Sequence, residues 1–213
     1  KNKGEERPLF IAPSQAYHGD TVGAVSVGGI ERFHEIFRPL LFKVLRTPSP
    51  YCYRCPLDKR YPDCAMACAD PIEKMLADNR GHVAAVVVEP AMQAAAGMIA
   101  LPPGYLRRLR EACDRHGVLL IVDEVAAGFG RTGSLFACEQ EGVSPDLMAL
   151  AKGLSGGYLP LAATLATQKV YDAFLGDFQE GKTFYHGHTF TGNQLACAAA
   201  LASLKIFDNE QTL

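Results

Sequence analysis

Apolar residues in this chain fall into short unbroken runs that alternate with stretches of helical period. Val118 to Val122 (VLLIV) is one such run, preceded by Gly117 and too short for an ordinary helix. That length reads as a strand buried on both faces, as in a parallel sheet. Val83 to Val88, Leu147 to Leu150, Leu161 to Ala166 and Pro8 to Ala12 read as further strands, and Thr183 to His186 as a shorter one. Between them the period changes. Pro103 to His116 carries Leu106, Leu109 and Cys113 on one face and charged residues elsewhere, an amphipathic helix with Gly117 past its end. Asp70-Pro71-Ile72-Glu73 opens another helix, with Asp70 as N-cap, proline in the first turn and Gly81 as the stop. Residues 168–175 and 194–207 complete the helices, the last capped by Asn193. Phe33, Ile36, Phe37 and Leu40 recur at helical spacing until Pro39 interrupts, and they are expected in the core. Strand and helix alternate from 71 to 166, the signature of βαβ units. The expected fold is α/β, a three-layer sandwich around a mostly parallel central sheet.

Three of the strands deliver polar groups at their ends. The 118–122 run finishes in Asp123-Glu124, the 83–88 run in Glu89-Pro90, and the 147–150 run in Ala151-Lys152-Gly153. Ligands of open α/β sheets bind at the carboxyl edge of the strands. An acid and an amine brought to that edge are the core of a site. Glu89 reads equally as a member of it or as a local cap.

Composition narrows the setting. At 213 residues and 48% hydrophobic, the chain can bury a sizeable core. A net charge of −2 gives no electrostatic reason to expect nucleic acid or an anionic membrane as partner. No apolar run approaches the roughly 20 residues of a membrane span, and no signal peptide opens the chain. Seven cysteines, an odd number without a secretory signal, point to reduced thiols in a cytoplasm.

The stretches DEVAAGFGRTG at 123–133 and AKGLSGG at 151–157 resemble the large domain of a fold-type I, pyridoxal-phosphate-dependent class III aminotransferase. The likeness continues through AYHGDTVGAVSVGG at 16–29, VVVEPAMQAAAGM at 86–98 and GHTFTGNQLACAAA at 187–200. The resemblance implies pyridoxal 5'-phosphate as cofactor, with Lys152 bonded to it and Asp123 on its pyridine nitrogen. It places Tyr17 over one face of the ring with His18 beside it; Val125, two residues past Asp123, points to the same side of an extended chain and is expected to pack beneath the ring. Thr189 would bind the cofactor phosphate across the interface of a homodimer with shared active sites, with Gly187 next to substrate. Arg131 either reaches substrate or pairs with a structural acid; Tyr17, taken alone, is more readily a packing aromatic. Ala127 stands where related stretches carry a threonine, which bears on that hydroxyl and not on the cofactor chemistry. Substrates would be a small keto acceptor and an amino donor; members acting on ω-amines or ornithine share the same Asp and Lys. The resemblance also implies that residues 1–213 are part of a large, cofactor-binding domain. A Gly-Ser phosphate turn is expected before this stretch, and a small domain with the arginine for a substrate carboxylate after Leu213.

Two further patterns compete for attention. Residues 48–68 form a Cys/Pro-rich loop in which Cys52, Cys55, Cys64 and Cys68 read as C-x-x-C followed by C-x-x-x-C. Four thiols can surround zinc, but the spacing departs from a zinc ribbon, and a proline-braced loop of reduced cysteines with no metal is expected. Gly176 to Thr183 (GDFQEGKT) matches a phosphate loop literally, and LLIVDE looks like a magnesium-holding strand. A phosphate loop, however, follows a strand and opens a helix. QKVYDAFL before it is helix-like and the glycine-broken stretch after it is extended, so a nucleotide hydrolase is disfavoured.

Overall fold

Continuous apolar strands and one-sided helices close around one main six-stranded sheet. The structure, a computed structural model, describes residues 2–213. In chain order its elements are β1 (Leu9–Pro13), α1 (Val22–Val27), α2 (Glu31–His34), β2 (Val44–Thr47), α3 (Asp70–Asp78) and β3 (Val83–Val88). There follow β4 (Met92–Gln93), β5 (Ile99–Ala100), α4 (Tyr105–His116), β6 (Leu119–Asp123), β7 (Leu147–Leu150), β8 (Ala163–Ala166), α5 (Gln168–Asp172) and α6 (Gln194–Glu210). Among the described residues the main sheet has the order β2-β1-β3-β6-β7-β8, and β4 pairs only with β5. Every neighbouring pair in the main sheet is parallel except β7 with β8. The expected mostly parallel α/β sheet is therefore what forms.

The pleat decides which side chains meet the helices. Leu120 and Val122 of β6 and Val86 and Val88 of β3 join Ile72 and Leu76 of α3 and Tyr105, Leu109 and Cys113 of α4 in one buried cluster. Each such aliphatic side chain contributes roughly 1.5–3 kcal/mol on burial. The alternate residues Leu119, Ile121 and Asp123 are only half-buried, so the strand end presents its acid away from that cluster. Polar ties fix the register. Asp146 accepts from the Leu120 amide at 2.8 Å and from Arg110 Nη1 at 2.7 Å, joining α4, β6 and the start of β7. The N-terminus of α4, which has no side-chain cap of its own, is held by Glu141, which accepts from the Gly104 and Arg107 amides at 3.0 and 2.8 Å.

Several local expectations change. Asp70 is the first residue of α3 rather than its cap, and its carboxylate pairs with Arg108 at 2.5 Å. The helix ends at Asn79, whose side chain donates to the Met75 carbonyl, two residues before Gly81. Residues 31–42 do not form a core helix: α2 breaks into a 3-10 turn over Glu35–Leu40 with Pro39 inside it. Ile36 and Leu40 stand 79% and 64% exposed there, and Phe33 and Phe37 are exposed too. Thr183 to His186 forms no strand, whereas β2, which no apolar run announced, pairs with β1 from Val44 to Thr47. The literal phosphate-loop match follows α5 and opens no helix; Lys182 simply pairs with Glu180 at 3.0 Å. No helix among the described residues is long and apolar enough to cross a membrane.

Candidate active site

The carboxyl ends of β1, β3, β6 and β7 lead into one cleft of about 480 Å³. Tyr17 and His18 reach it from the loop after β1, Glu89 from the end of β3, Asp123 from β6, and Lys152 from the turn after β7. Val125 lines one wall and Arg131 also borders the cleft. Parallel pairing makes this convergence automatic, because Val88 lies beside Val122 and Asp123 beside Ala149.

Asp123 is held at both oxygens. Oδ1 accepts from the Val125 amide at 3.0 Å, and Oδ2 lies 2.8 Å from His18 Nδ1. A carboxylate only accepts, so Nδ1 carries the hydrogen of that bond. The His18 and Asp123 side chains are 6% and 12% exposed, so the pair lies in a weakly screened environment. His18 Nε2 is buried without a hydrogen-bond partner.

Lys152 is exposed to the cleft in a backbone conformation that lysine seldom adopts, with φ at 47°. A non-glycine residue in that left-handed region costs of order 1–3 kcal/mol and persists where surrounding structure fixes it. The next residue supplies part of the fixing. A Cβ added at Gly153 would meet Phe129 Cβ at 2.7 Å, so the lysine turn packs directly on the GFGRTG turn. Among the described residues Lys152 makes no ion pair, leaving its amine directed to the cleft.

The other two acids do structural work as well. Glu89 is buried and accepts from the Tyr17 amide at 3.1 Å and the Ala94 amide at 2.8 Å, clasping two cleft-forming loops. It both lines the cleft and caps two loops. Glu124, fully buried, turns away from the cleft and accepts from the Ala137 and Cys138 amides at 3.0 and 2.8 Å. Burial pushes both carboxyls above the ordinary glutamate value, opposed by those amide bonds. The Tyr17 hydroxyl donates to Asp20 at 2.8 Å, which raises its pKa, followed by burial as a lesser cause. The Tyr17 ring lies nearly parallel to that of buried His34, with centroids 6.3 Å apart.

Of the residues expected from sequence, Tyr17, His18, Asp123, Val125, Arg131 and Lys152 come together. Gly187 and Thr189 do not: both are exposed and lie outside the lining of the cleft. The Arg131 guanidinium makes no ion pair among the described residues. Met92, Ala94, Ala95 and Met98 also line the cleft and were not singled out. Their signal lay in the 86–98 stretch, where small residues follow the buried strand. In the cysteine loop, no group of three or more ligating side chains among the described residues is arranged around a metal position.

A buried-edge carboxylate, a free amine and flat apolar walls in one cleft fit a cofactor with a carbonyl, a basic ring nitrogen and two ring faces. Comparisons with known proteins agree with that chemistry. The profile of the family described as "Aminotransferase class-III" matches residues 1–213. The adenosylmethionine-8-amino-7-oxononanoate aminotransferase of Geobacter sulfurreducens is 58% identical over 98% of this chain and 46% of its own. The enzyme of the same name from Aquifex aeolicus is 56% identical over 100% of this chain and 47% of its own. Among solved structures, that of the Methanocaldococcus jannaschii enzyme of this name superimposes with a TM-score of 0.89 at 46% identity, covering 99% of this chain and 46% of the other. A PLP-bound amine transaminase from an uncultivated Pseudomonas species gives 0.90 at 41% identity, covering 96% of this chain and 46% of the other. The chain spans about half the length of the relatives it matches.

Proposed function

The chain belongs to the class III aminotransferases, and from that premise we propose that it forms the cofactor-binding large domain of an enzyme that transfers an amino group to 8-amino-7-oxononanoate, giving 7,8-diaminononanoate. The observation that carries the reading is the cleft itself, where Lys152 in its left-handed turn faces the doubly held Asp123. The choice of acceptor rests on the likeness to relatives that bear that substrate in their names.

When bound, pyridoxal 5'-phosphate supplies an electrophilic carbonyl and an electron-withdrawing ring. Lys152 Nζ would hold that carbonyl at rest and, once free, would move the proton at the substrate carbon that bears nitrogen. Asp123 would hold a proton on the ring nitrogen through a charge-assisted hydrogen bond. His18 keeps the Asp123 carboxylate in the orientation that this bond needs. Val125, Tyr17 and Arg131 line the cleft; Val125 would pack beneath the ring, Tyr17 would cover its other face, and Arg131 would reach substrate. Glu89 keeps the Tyr17 and Ala94 loops at a fixed spacing.

Gly187 and Thr189 act on a second copy of the chain, Thr189 through its hydroxyl on the cofactor phosphate and Gly187 beside substrate. Their exposure outside the cleft of their own chain supports that placement. The working unit is then a homodimer with shared active sites, and seven free cysteines suit a reducing compartment such as the cytoplasm.

Full-length protein loaded with cofactor should aminate 8-amino-7-oxononanoate with S-adenosylmethionine or lysine as donor. Efficient amino transfer from ornithine, other diamines or β-alanine, with none to 8-amino-7-oxononanoate, would move the protein to another branch of the family. Mixing Lys152→Ala with Thr189→Ala subunits tests the sharing, because a site supplied by one intact copy of each residue should recover activity.

A further inference from the structure

Four of the seven cysteines lie between positions 52 and 68, and the reaction proposed above uses none of them. A 3-10 turn over Cys52–Arg54 leads into Cys55, which sets Cys52 and Cys55 three residues apart on one side of the turn. The chain then reverses through left-handed backbone at Asp58, Ala65 and Met66. That reversal returns Cys64 and Cys68 to the first pair. All four cysteines border one small cavity of about 10 Å³, roughly the space of a single water. Both limbs are anchored. Arg108 Nη1 donates to the Ala65 and Met66 carbonyls, each at 3.1 Å, and Ser49 donates to Gln93 at the root of the loop. All four thiols are free. Burial, then Cys64, then Cys55 raise the Cys52 thiol above its ordinary value. Burial and, after it, Cys52 push Cys68 up to about 11. Cys52 on the first limb and Cys64 on the returning limb thus border the same cavity, and both are half-buried. Cys64 is half-buried and reachable, whereas Cys68 is buried.

We propose that Cys52 and Cys64 form a dithiol–disulfide site that exchanges with small disulfides of the glutathione type. The Cys64 thiolate attacks one sulfur of the small disulfide, whose S–S bond breaks and releases one small thiol carrying the proton lost by Cys64. The Cys52 thiolate then attacks the Cys64 sulfur and displaces the second small thiol, which takes the proton of Cys52. Two protein thiols are oxidised, one small disulfide is reduced to two thiols, and the two limbs of the loop become joined. Cys113 and Cys138, both buried and each remote in sequence from any other cysteine, stay reduced. The exchange involves no metal.

The test equilibrates the full-length protein with glutathione buffers from fully reduced to fully oxidised, blocks free thiols by alkylation, and maps peptides by mass spectrometry. The expected result is a peptide cross-linked through Cys52 and Cys64 that rises at least 10-fold from the reduced to the oxidised buffer and disappears on return. Cys52→Ser should leave Cys64 as a mixed disulfide with glutathione, while Cys55→Ser and Cys68→Ser should retain the cross-link. Far-ultraviolet circular dichroism of each variant confirms that it is folded. Absence of the 52–64 cross-link in the oxidised buffer, or cross-linking of a different pair, would overturn the assignment. So would one tightly held metal per chain that shields all four thiols from alkylation until chelated.

Discussion

Replacing His18 by alanine probes how the site holds its electron-withdrawing end. The Asp123 carboxylate has two fixed partners, the Val125 amide at 3.0 Å and His18 Nδ1 at 2.8 Å, and the second fixes the oxygen that the backbone does not. Both side chains of the pair are almost wholly shielded from water, so little solvent screening weakens the bond. A hydrogen bond to a charged group in such surroundings contributes about 1.5–3 kcal/mol. His18→Ala frees the carboxylate to turn, and that free energy is lost from whatever Asp123 must hold in place. Pyridoxal-phosphate affinity should fall by roughly 10- to 150-fold. Spectrophotometric titration of the apo full-length protein with cofactor measures the change directly. His18→Asn, whose amide can still donate, should recover part of the loss. The reasoning fails if His18→Ala binds cofactor within about twofold of the parent and turns over normally, because the 2.8 Å contact would then contribute nothing to the site.

Other substitutions separate cofactor binding from support. Arg131→Ala should leave thermal stability unchanged, since its guanidinium makes no ion pair among the described residues, and should raise the KM for substrate by roughly 10-fold or more with cofactor affinity intact. Gly153→Ala should lower both stability and activity, because the new methyl meets Phe129 where the lysine turn closes; equal melting temperatures and rates would deny that contact its role. Glu124→Ala removes a buried acceptor of two amide hydrogen bonds and should cost about 2–5 kcal/mol in urea unfolding. Burial raises the folded-state pKa of Glu89 and Glu124 above the ordinary 4.5, so the folded chain holds these protons more tightly than the unfolded chain. Their contribution to stability is full below 4.5 and declines as pH rises through the raised values; Glu124→Gln should flatten that decline in urea midpoints taken across the range.

The strands that carry the site were legible because their physics is local. Val83–Val88 and Leu147–Leu150 form as uninterrupted apolar runs, and β6 lies within one residue of its run, ending in Asp123. The amphipathic face of α4 likewise announced Leu106, Leu109 and Cys113, all of which are buried. Pairings across the chain were not legible. His18 and Asp123 are 105 residues apart, and no spacing rule joins a histidine in one loop to an acid on a distant strand. Glu124 follows Asp123 directly, yet its oxygens are drawn the other way by amides of the 137–138 turn. The error at 31–42 has a physical cause. Helical spacing of Phe33, Ile36, Phe37 and Leu40 promised a core face, but Pro39 has no amide hydrogen for a helix interior and the segment settles as an exposed 3-10 turn. β2 was missed because Val-Leu-Arg-Thr is too short and mixed to signal a strand, and it forms only because β1 offers a free edge.

The claim that organises the site is that Lys152, and no other lysine, carries the cofactor. Full-length protein loaded with pyridoxal phosphate should be reduced with borohydride, digested and mapped by mass spectrometry. The account predicts one cofactor-modified peptide spanning Lys152, and none in Lys152→Ala protein that keeps its circular dichroism and melting temperature. Modification at a different lysine, or bound cofactor that borohydride fixes nowhere, would contradict it.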